Sequence, residues 1–433
     1  MATVPYRFGS ATAYDKLFPP QIDANFQSIF KNGIPWADVR AWGATGDGVT
    51  DDTTTFTNAI AALATYGGGI VFLPPGIYQI PNGISIGGAS TPNITIQGAG
   101  RSASYLRATG ADVVTVSVGT NGQCWLKDLS VFGKGYPSPV DTGTFGATAN
   151  VVEFAASGGG MQNVQILGGY FPLNVTAIDA VFLNVETGYG YGGANTYVNG
   201  ASWFYRCKWD HSTTAVVNTT ALPIPARANT TVYAAGDSVV VSSYVLTCQT
   251  GGTSGGSAPT LLNYGRDITD GTVTWRLGAP QTFSGLYIDS SAGENHFHMC
   301  DLTGLYSQSL TQAGGSLTYT VFSDGVLSSP VAVNSGKLFA LHHCELGDDI
   351  GVDTGYSGIT HISNNYGVTS TIDIDIGIGA NVNDFLITAN YLGGGTITVV
   401  AGTSDHYVIS GNVRTTVTDG GTGVNKSVTG NVA

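Results

Sequence analysis

A four-residue pattern returns about every 22 residues along most of this chain, and it constrains the fold more than any other feature. It reads apolar, two variable positions, then Cys, Asn or a second apolar residue. Early copies are Leu126-Lys-Asp-Leu129, Met161-Gln-Asn-Val164, Phe182-Leu-Asn-Val185 and Phe204-Tyr-Arg-Cys207. Later ones are Phe297-His-Met-Cys300, Leu341-His-His-Cys344, Ile362-Ser-Asn-Asn365, Ile387-Thr-Ala-Asn390, Ile409-Ser-Gly-Asn412 and Val428-Thr-Gly-Asn431. A period of this length is one coil of a solenoid. A lone coil cannot bury its apolar positions, so coils stack and each inward position becomes a column. The first column is apolar throughout and predicts core. The fourth changes from Cys207, Cys300 and Cys344 to Asn365, Asn390, Asn412 and Asn431. Stacked Asn side chains are expected to hydrogen-bond along the column and to take the left-handed backbone of a sharp bend. Cys300 and Cys344 stand two periods apart, and Val321-Phe-Ser-Asp324 fits the coil between them.

Composition agrees with an all-β solenoid. Of 433 residues 10% are charged and 62 are Gly, so the chain has many turns and β-branched runs but little of the polarity of disorder. A net charge of -13 repels a phosphate backbone and excludes nucleic acid as an expected partner. No apolar run approaches the ~20 residues that cross a bilayer. The sequence from Met1 to Arg7 shows no basic segment followed by an apolar core, so no signal peptide is expected. Cys124, Cys207, Cys248, Cys300 and Cys344 are too scattered for a disulfide framework or a zinc site and are expected to be buried thiols.

The spacing fails between Cys207 and Cys300, which predicts an insertion over 222–281. Pro-bearing Leu222-Pro-Ile-Pro-Ala opens it and Pro280 closes it, with alternating strands and Gly/Asp turns between. The segment resembles small chitin-binding-like carbohydrate modules. That resemblance makes Tyr244, Tyr264 and Trp275 candidate sugar-stacking platforms; alternatively they form the module's own core.

Near the N-terminus stand Gly46-Asp47-Gly-Val-Thr-Asp51-Asp52 and Leu73-Pro-Pro-Gly-Ile-Tyr78. This stretch resembles the start of pectate-lyase-like right-handed parallel β-helices, a superfamily that includes bacteriophage tailspikes. The resemblance implies a single-stranded right-handed parallel β-helix over 36–221 and 282–433, with a short capping helix near its start. Asp51 or Asp52 suits the N-cap of that helix, ahead of Thr53–Leu63. Residues 1–35 resemble the leader by which phage tail proteins attach. By the same resemblance the chain is expected to be a homotrimer, placed in the virion tail, bound to a tail or baseplate protein through this leader. Its expected ligand is a bacterial surface polysaccharide, with no cofactor and no membrane insertion.

The position after the fourth column points outward and reads Ser130, Gln165, Glu186, Lys208, Asp301, Glu345, then Tyr366 and Tyr391. Asp301 and Glu345 lie two coils apart, which puts their backbones roughly 9.6 Å apart. Carboxyl groups ~6.5–9.5 Å apart leave room for the water of an inverting glycosidase. Tyr205, His298 and His342 form a parallel outward column two residues before the fourth position. Together with Lys208 they are candidates for binding sugar, although any solvated β-helix face can carry such residues. Gly347-Asp348-Asp349-Ile-Gly-Val-Asp353 resembles the aspartate-pair coil of polygalacturonase-type hydrolases. It departs from that family in lacking Gly-His-Gly and Arg-x-Lys downstream, and Ser323-Asp324-Gly325 is a faint echo of the upstream Asn-Thr-Asp. Asp348, Asp349 and Asp353 also read as a calcium cluster.

The candidate acids and bases are therefore Glu345, Asp348, Asp349, Asp301 and Glu186. Only Arg206, Lys208 and Lys337 offer a strong base in the middle coils, which ranks hydrolysis above elimination. Two readings stand: a tailspike that hydrolyses polysaccharide, and a receptor-binding tail protein without catalysis.

Overall fold

The computed structural model of the 433-residue chain describes residues 35–108, 114–133, 150–169, 171–188, 194–210, 226–241, 244–260, 267–280, 284–288, 292–302, 308–312, 318–328, 330–333, 336–353, 358–367, 372–378, 384–402 and 404–433. The expected leader over 1–35 lies almost wholly outside them, as does Tyr264.

The chain winds as a right-handed parallel β-helix. One register runs its length: Val71 pairs with Ile96, Ile96 with Leu126, Leu126 with Met161, and so on through Phe182, Phe204, Phe297, Phe322, Leu341, Ile362, Ile387, Ile409 and Val428. The apolar first column is thus real, and it starts earlier than the repeat in the sequence revealed. From Val71 to Ile409 every member is buried. Its centre is a ladder of phenylalanines whose ring centroids are 4.6 Å apart for Phe182 and Phe204, 4.7 Å for Phe204 and Phe297, and 5.8 Å for Phe297 and Phe322. A second sheet of 12 parallel strands runs from Ile84–Ile86 to Thr416–Gly421 and closes each coil from the other side.

The coil between Cys300 and Cys344 is present, in a frame shifted by one residue from the expected one. Phe322 takes the first position and Gly325 the fourth. A Cβ on Gly325 would lie 2.0 Å from the Cys300 carbonyl oxygen, so the close approach of the two coils admits only glycine.

The bend is also built differently from the expectation. The residue in the left-handed region is the one before the fourth position: Arg206 (φ 52°), Met299 (φ 53°), Asp324 (φ 58°), His343 (φ 54°), Asn364 (φ 58°) and Ala389 (φ 56°). The Asn side chains turn inward and do form a ladder. Asn365 Nδ2 donates to Asn390 Oδ1 (3.0 Å), Asn390 to Asn412 (2.9 Å), and Asn412 to Asn431 (2.8 Å). Each also donates to the first-column carbonyl of the preceding coil, as Asn365 does to Leu341 O at 3.1 Å. The Cys thiols keep that second bond, Cys207 to Phe182 O (3.5 Å) and Cys300 to Phe204 O (3.5 Å), and each also reaches the carbonyl two residues back in its own coil. Sharing a donor role explains why Cys and Asn share a column. All five cysteines are buried and free.

Helix Thr53–Ala64 buries Phe56, Ala59, Ile60 and Leu63 against the first coils. Asp52 stands at its N-cap position without capping it. Its buried carboxylate instead accepts the Thr45 and Gly46 N–H groups at 2.8 and 3.1 Å. Asp51 accepts the Thr53 N–H at 2.9 Å. Asp52 thus holds the turn at Thr45 and Gly46, and Asp51 the start of the helix.

The strands on either side of the expected insertion pair directly, Ala201–Tyr205 with Glu294–His298 and Lys208–Asp210 with Asp301–Leu302. Between them lies an antiparallel four-stranded sheet with its own core of Val239, Val241, Leu246, Cys248, Ile268, Val273 and Trp275. Separate cores predict separable folding. Replacing 222–281 by a short Gly linker should preserve the β signal in circular dichroism and the main thermal transition. Loss of that transition would make the insertion part of the solenoid core.

Candidate active site

The outward column after the bend follows from the register. Gln165 pairs with Glu186, Glu186 with Lys208, Lys208 with Asp301, Asp301 with Val326, Val326 with Glu345, Glu345 with Tyr366, and Tyr366 with Tyr391. Asp301 and Glu345 are therefore two coils apart, roughly 9.6 Å along the axis. Only Val326, whose side chain is short, stands between them. The two acids differ in setting. Asp301 is half-buried, and burial raises its carboxyl above the ordinary aspartate value while Lys208 and the Val326 amide pull it back. Glu345 is exposed. A carboxyl whose proton affinity burial raises, two coils from one open to water, is the division of labour that acid–base hydrolysis uses.

Were Asp301 a general acid, which works only while protonated, activity would fall as pH rises through its value. Lys208→Met removes the charge that lowers this value. The alkaline limb of the rate profile should then move to higher pH, and an unmoved limb would separate Asp301 from the rate.

Glu186 stands two coils before Asp301 and is already committed. Arg101 forms an ion pair with it, and Gln165 Nε2 donates to its Oε1 at 3.0 Å. Arg101 lies outside the repeated tetrads, so spacing gave no sign of it.

Tyr205, His298 and His342 do share a column, continued by Ser323 and Ser363, but it lies across the bend from Asp301 and Glu345. In these coils one left-handed residue, Met299 or His343, stands between the two columns. In the histidine column, the His298 Nδ1 lies 3.0 Å from Ser323 Oγ and 3.1 Å from Asp324 Oδ2. His342 Nδ1 lies 2.7 Å from Ser363 Oγ. Burial holds the His342 imidazole below its ordinary value, His361 and His343 push the same way, and Asp324 opposes them. The Tyr205 ring meets His298 edge-on, with centroids 6.1 Å apart. Asp324 was legible as a turn residue, but its reach to His298 was not.

Asp348 and Asp349 lead into the strand Ile350–Asp353 of the second sheet. The Asp349 carboxylate accepts the Asp373 N–H at 2.7 Å, and Asp373 in turn accepts the Thr396 N–H at 2.6 Å. This is a structural ladder between coils. Burial raises the Asp349 carboxyl, and Asp348, Asp373 and Asp375 add to the rise against the Asp373 amide. Asp348 accepts the Asp349 N–H at 2.9 Å. The Asp353 side chain lies outside the described residues. Among the described residues no group of three or more His, Cys, Asp or Glu is placed to hold a metal.

Trp275 is not a sugar platform. It is fully buried in the inserted module, where its Nε1 donates to Asp270 Oδ2 at 2.8 Å. The same carboxylate takes a two-pronged ion pair from Arg227, Nε to Oδ2 at 2.6 Å and Nη2 to Oδ1 at 2.7 Å. The Tyr244 side chain lies outside the described residues.

The chain belongs to the pectate lyase-like right-handed β-helix superfamily. Residues 36–251 match the model of the family described as rhamnogalacturonase A/epimerase, pectate lyase-like. Mannuronan C5-epimerase AlgE5 of Azotobacter vinelandii is 48% identical over 46 residues, 11% of this chain and 5% of that protein. Among solved structures, ORF18 of Geobacillus virus E2 is similar at a TM-score of 0.47 and 14% identity, over 92% of this chain and 62% of that one. The Dettilon tailspike protein gives 0.46 and 10% over 91% and 68% of the two chains. The exopolygalacturonase of Thermotoga maritima gives 0.46 and 9% over 93% and 92%. The chain thus spans less than two thirds of the length of either the epimerase or the Geobacillus virus protein.

Proposed function

We propose that this chain is a bacteriophage tail protein that hydrolyses a bacterial surface polysaccharide, with Asp301 as general acid and Glu345 as general base. The observation that carries the reading is the outward column itself. It sets a half-buried carboxyl of raised proton affinity two coils from an exposed carboxylate, with a small residue between. In the reaction Asp301 gives its proton to the glycosidic oxygen as the C–O bond breaks. Glu345 takes a proton from a water whose oxygen bonds the anomeric carbon from the opposite face. Placement in the virion rests on the leader-like sequence from Tyr14 to Phe30 and on the superfamily's tailspike members. Superfamily membership also supports a homotrimer. Light scattering should return three chains per particle, and a dilution-independent monomer would contradict that.

A second reading is elimination or epimerisation at C5 of a uronic acid, with His342 as base. It is favoured by the His342 imidazole, whose proton affinity burial lowers and whose Nδ1 lies 2.7 Å from Ser363 Oγ. A third is binding without cleavage. Incubation with a panel of purified capsules and O-antigens separates the three. New reducing ends with saturated new non-reducing ends support hydrolysis, and a double bond in the new non-reducing end supports elimination. Inverted C5 without chain scission supports epimerisation. Capture without chemical change supports a receptor-binding protein.

A further inference from the structure

We infer that Tyr366 is a sugar-stacking subsite, placed to hold the pyranose ring next to the bond that Asp301 and Glu345 cleave. The inference rests on the assignment of those two acids. Tyr366 follows Glu345 in the same outward column, one coil on. Its ring stacks on Tyr391 with centroids 5.1 Å apart and planes 18° apart. Behind Tyr391, Arg414 closes the stack. Its guanidinium lies 5.7 Å from the Tyr391 ring centre, and Nη1 donates to the Tyr391 hydroxyl at 2.8 Å.

The order Arg414, Tyr391, Tyr366 ends the stack at Tyr366, with Glu345 as its register neighbour on the other side. Tyr391 occupies one side of Tyr366, and among the described residues no ring or cation lies on the other, which looks along the helix axis toward Glu345. Tyr366 is accordingly 55% exposed, the highest value of any aromatic among the described residues. A ring backed in this way is fixed before a ligand arrives, so little side-chain entropy is lost on binding. Its face is flat and apolar, and its rim carries one hydroxyl. A hexopyranose has the same two-sided character, with C–H groups on a face and hydroxyls around the edge. Coil spacing of ~4.8 Å places a ring stacked on Tyr366 directly over the Glu345 coil, within reach of its carboxylate. The polysaccharide would then run along the helix axis, from Asp301 past Glu345 to Tyr366.

The test uses the full chain on an array of purified bacterial capsular and O-antigen polysaccharides, with Asp301→Asn as the parent so that ligand is not consumed. Tyr366→Ala should weaken capture by about tenfold, equivalent to the upper end of a stacking contact. Tyr366→Leu keeps apolar bulk but removes the π face and should lose nearly as much, while Tyr366→Phe should bind within about twofold of the parent. In the otherwise native chain, Tyr366→Ala should raise KM and leave kcat within about twofold. Equal capture by Tyr366→Ala and the parent overturns the inference, as does a parent that captures nothing on the array. Should Asp301→Asn retain turnover while Tyr366→Ala loses capture, the subsite stands and the catalytic assignment falls.

Discussion

Asp301→Asn should lower the rate of polysaccharide cleavage at least ~100-fold, the lower end of what a positioned acid or base contributes. Glu345→Gln should do the same. Both side chains lie on the outer surface of the coils, Glu345 fully and Asp301 in part. Thermal stability should therefore change by no more than ~0.5 kcal/mol for Glu345→Gln, as for other surface substitutions. Two controls give the comparison its force. Glu186→Gln breaks an ion pair with Arg101 outside the proposed acid pair and should leave the rate within a few-fold. Asp349→Asn keeps an oxygen for the Asp373 N–H and should do likewise. Reducing-end release by the four variants against the unsubstituted protein checks the set. Near-native rates for both Asp301→Asn and Glu345→Gln, with loss in Asp349→Asn, would move the chemistry to the aspartate-pair coil.

The second large effect belongs to the inserted module. Asp270→Ala should unfold it locally and leave the solenoid intact. Burial alone would raise the Asp270 carboxyl, yet Arg227, Trp275 and the Gly255 amide together bring it below its ordinary value. Both members of the Arg227–Asp270 pair are 2% exposed, so removing the carboxylate strands a buried guanidinium. Breaking a buried pair from one side costs ~3–5 kcal/mol. The core that must absorb this loss is seven residues. Limited proteolysis should cut the variant between 226 and 280 while the coils resist. Resistance equal to that of the native chain would mean the pair does not hold the module together.

Much of the fold was legible because stacking writes itself into the sequence. Phe182, Phe204 and Phe297 recur because each needs the same neighbour above and below. The frame of the Phe322 coil was read one residue off because Gly325, fixed by backbone approach, replaces the Asn or Cys that marks the bend elsewhere. The bend residues themselves were hidden: Arg206, Met299, Asp324 and His343 share a left-handed backbone but no side-chain chemistry. Order along the outer column was legible, since it depends only on coil count. The left-handed residue between His298 and Asp301 was not, because Met299 carries no turn chemistry of its own. Contacts from outside the repeat, Arg101 to Glu186 and Arg227 to Asp270, left no periodic trace.

The central claim is that Asp301 and Glu345, held two coils apart, cleave a glycosidic bond with a water between them. The anomeric configuration of the first reducing ends, followed by proton NMR immediately after mixing with a cleaved polysaccharide, tests it most directly. Inversion relative to the bond in the polymer is the predicted result. Retained configuration would require carboxylates only ~5–5.5 Å apart and would contradict the assignment of this pair.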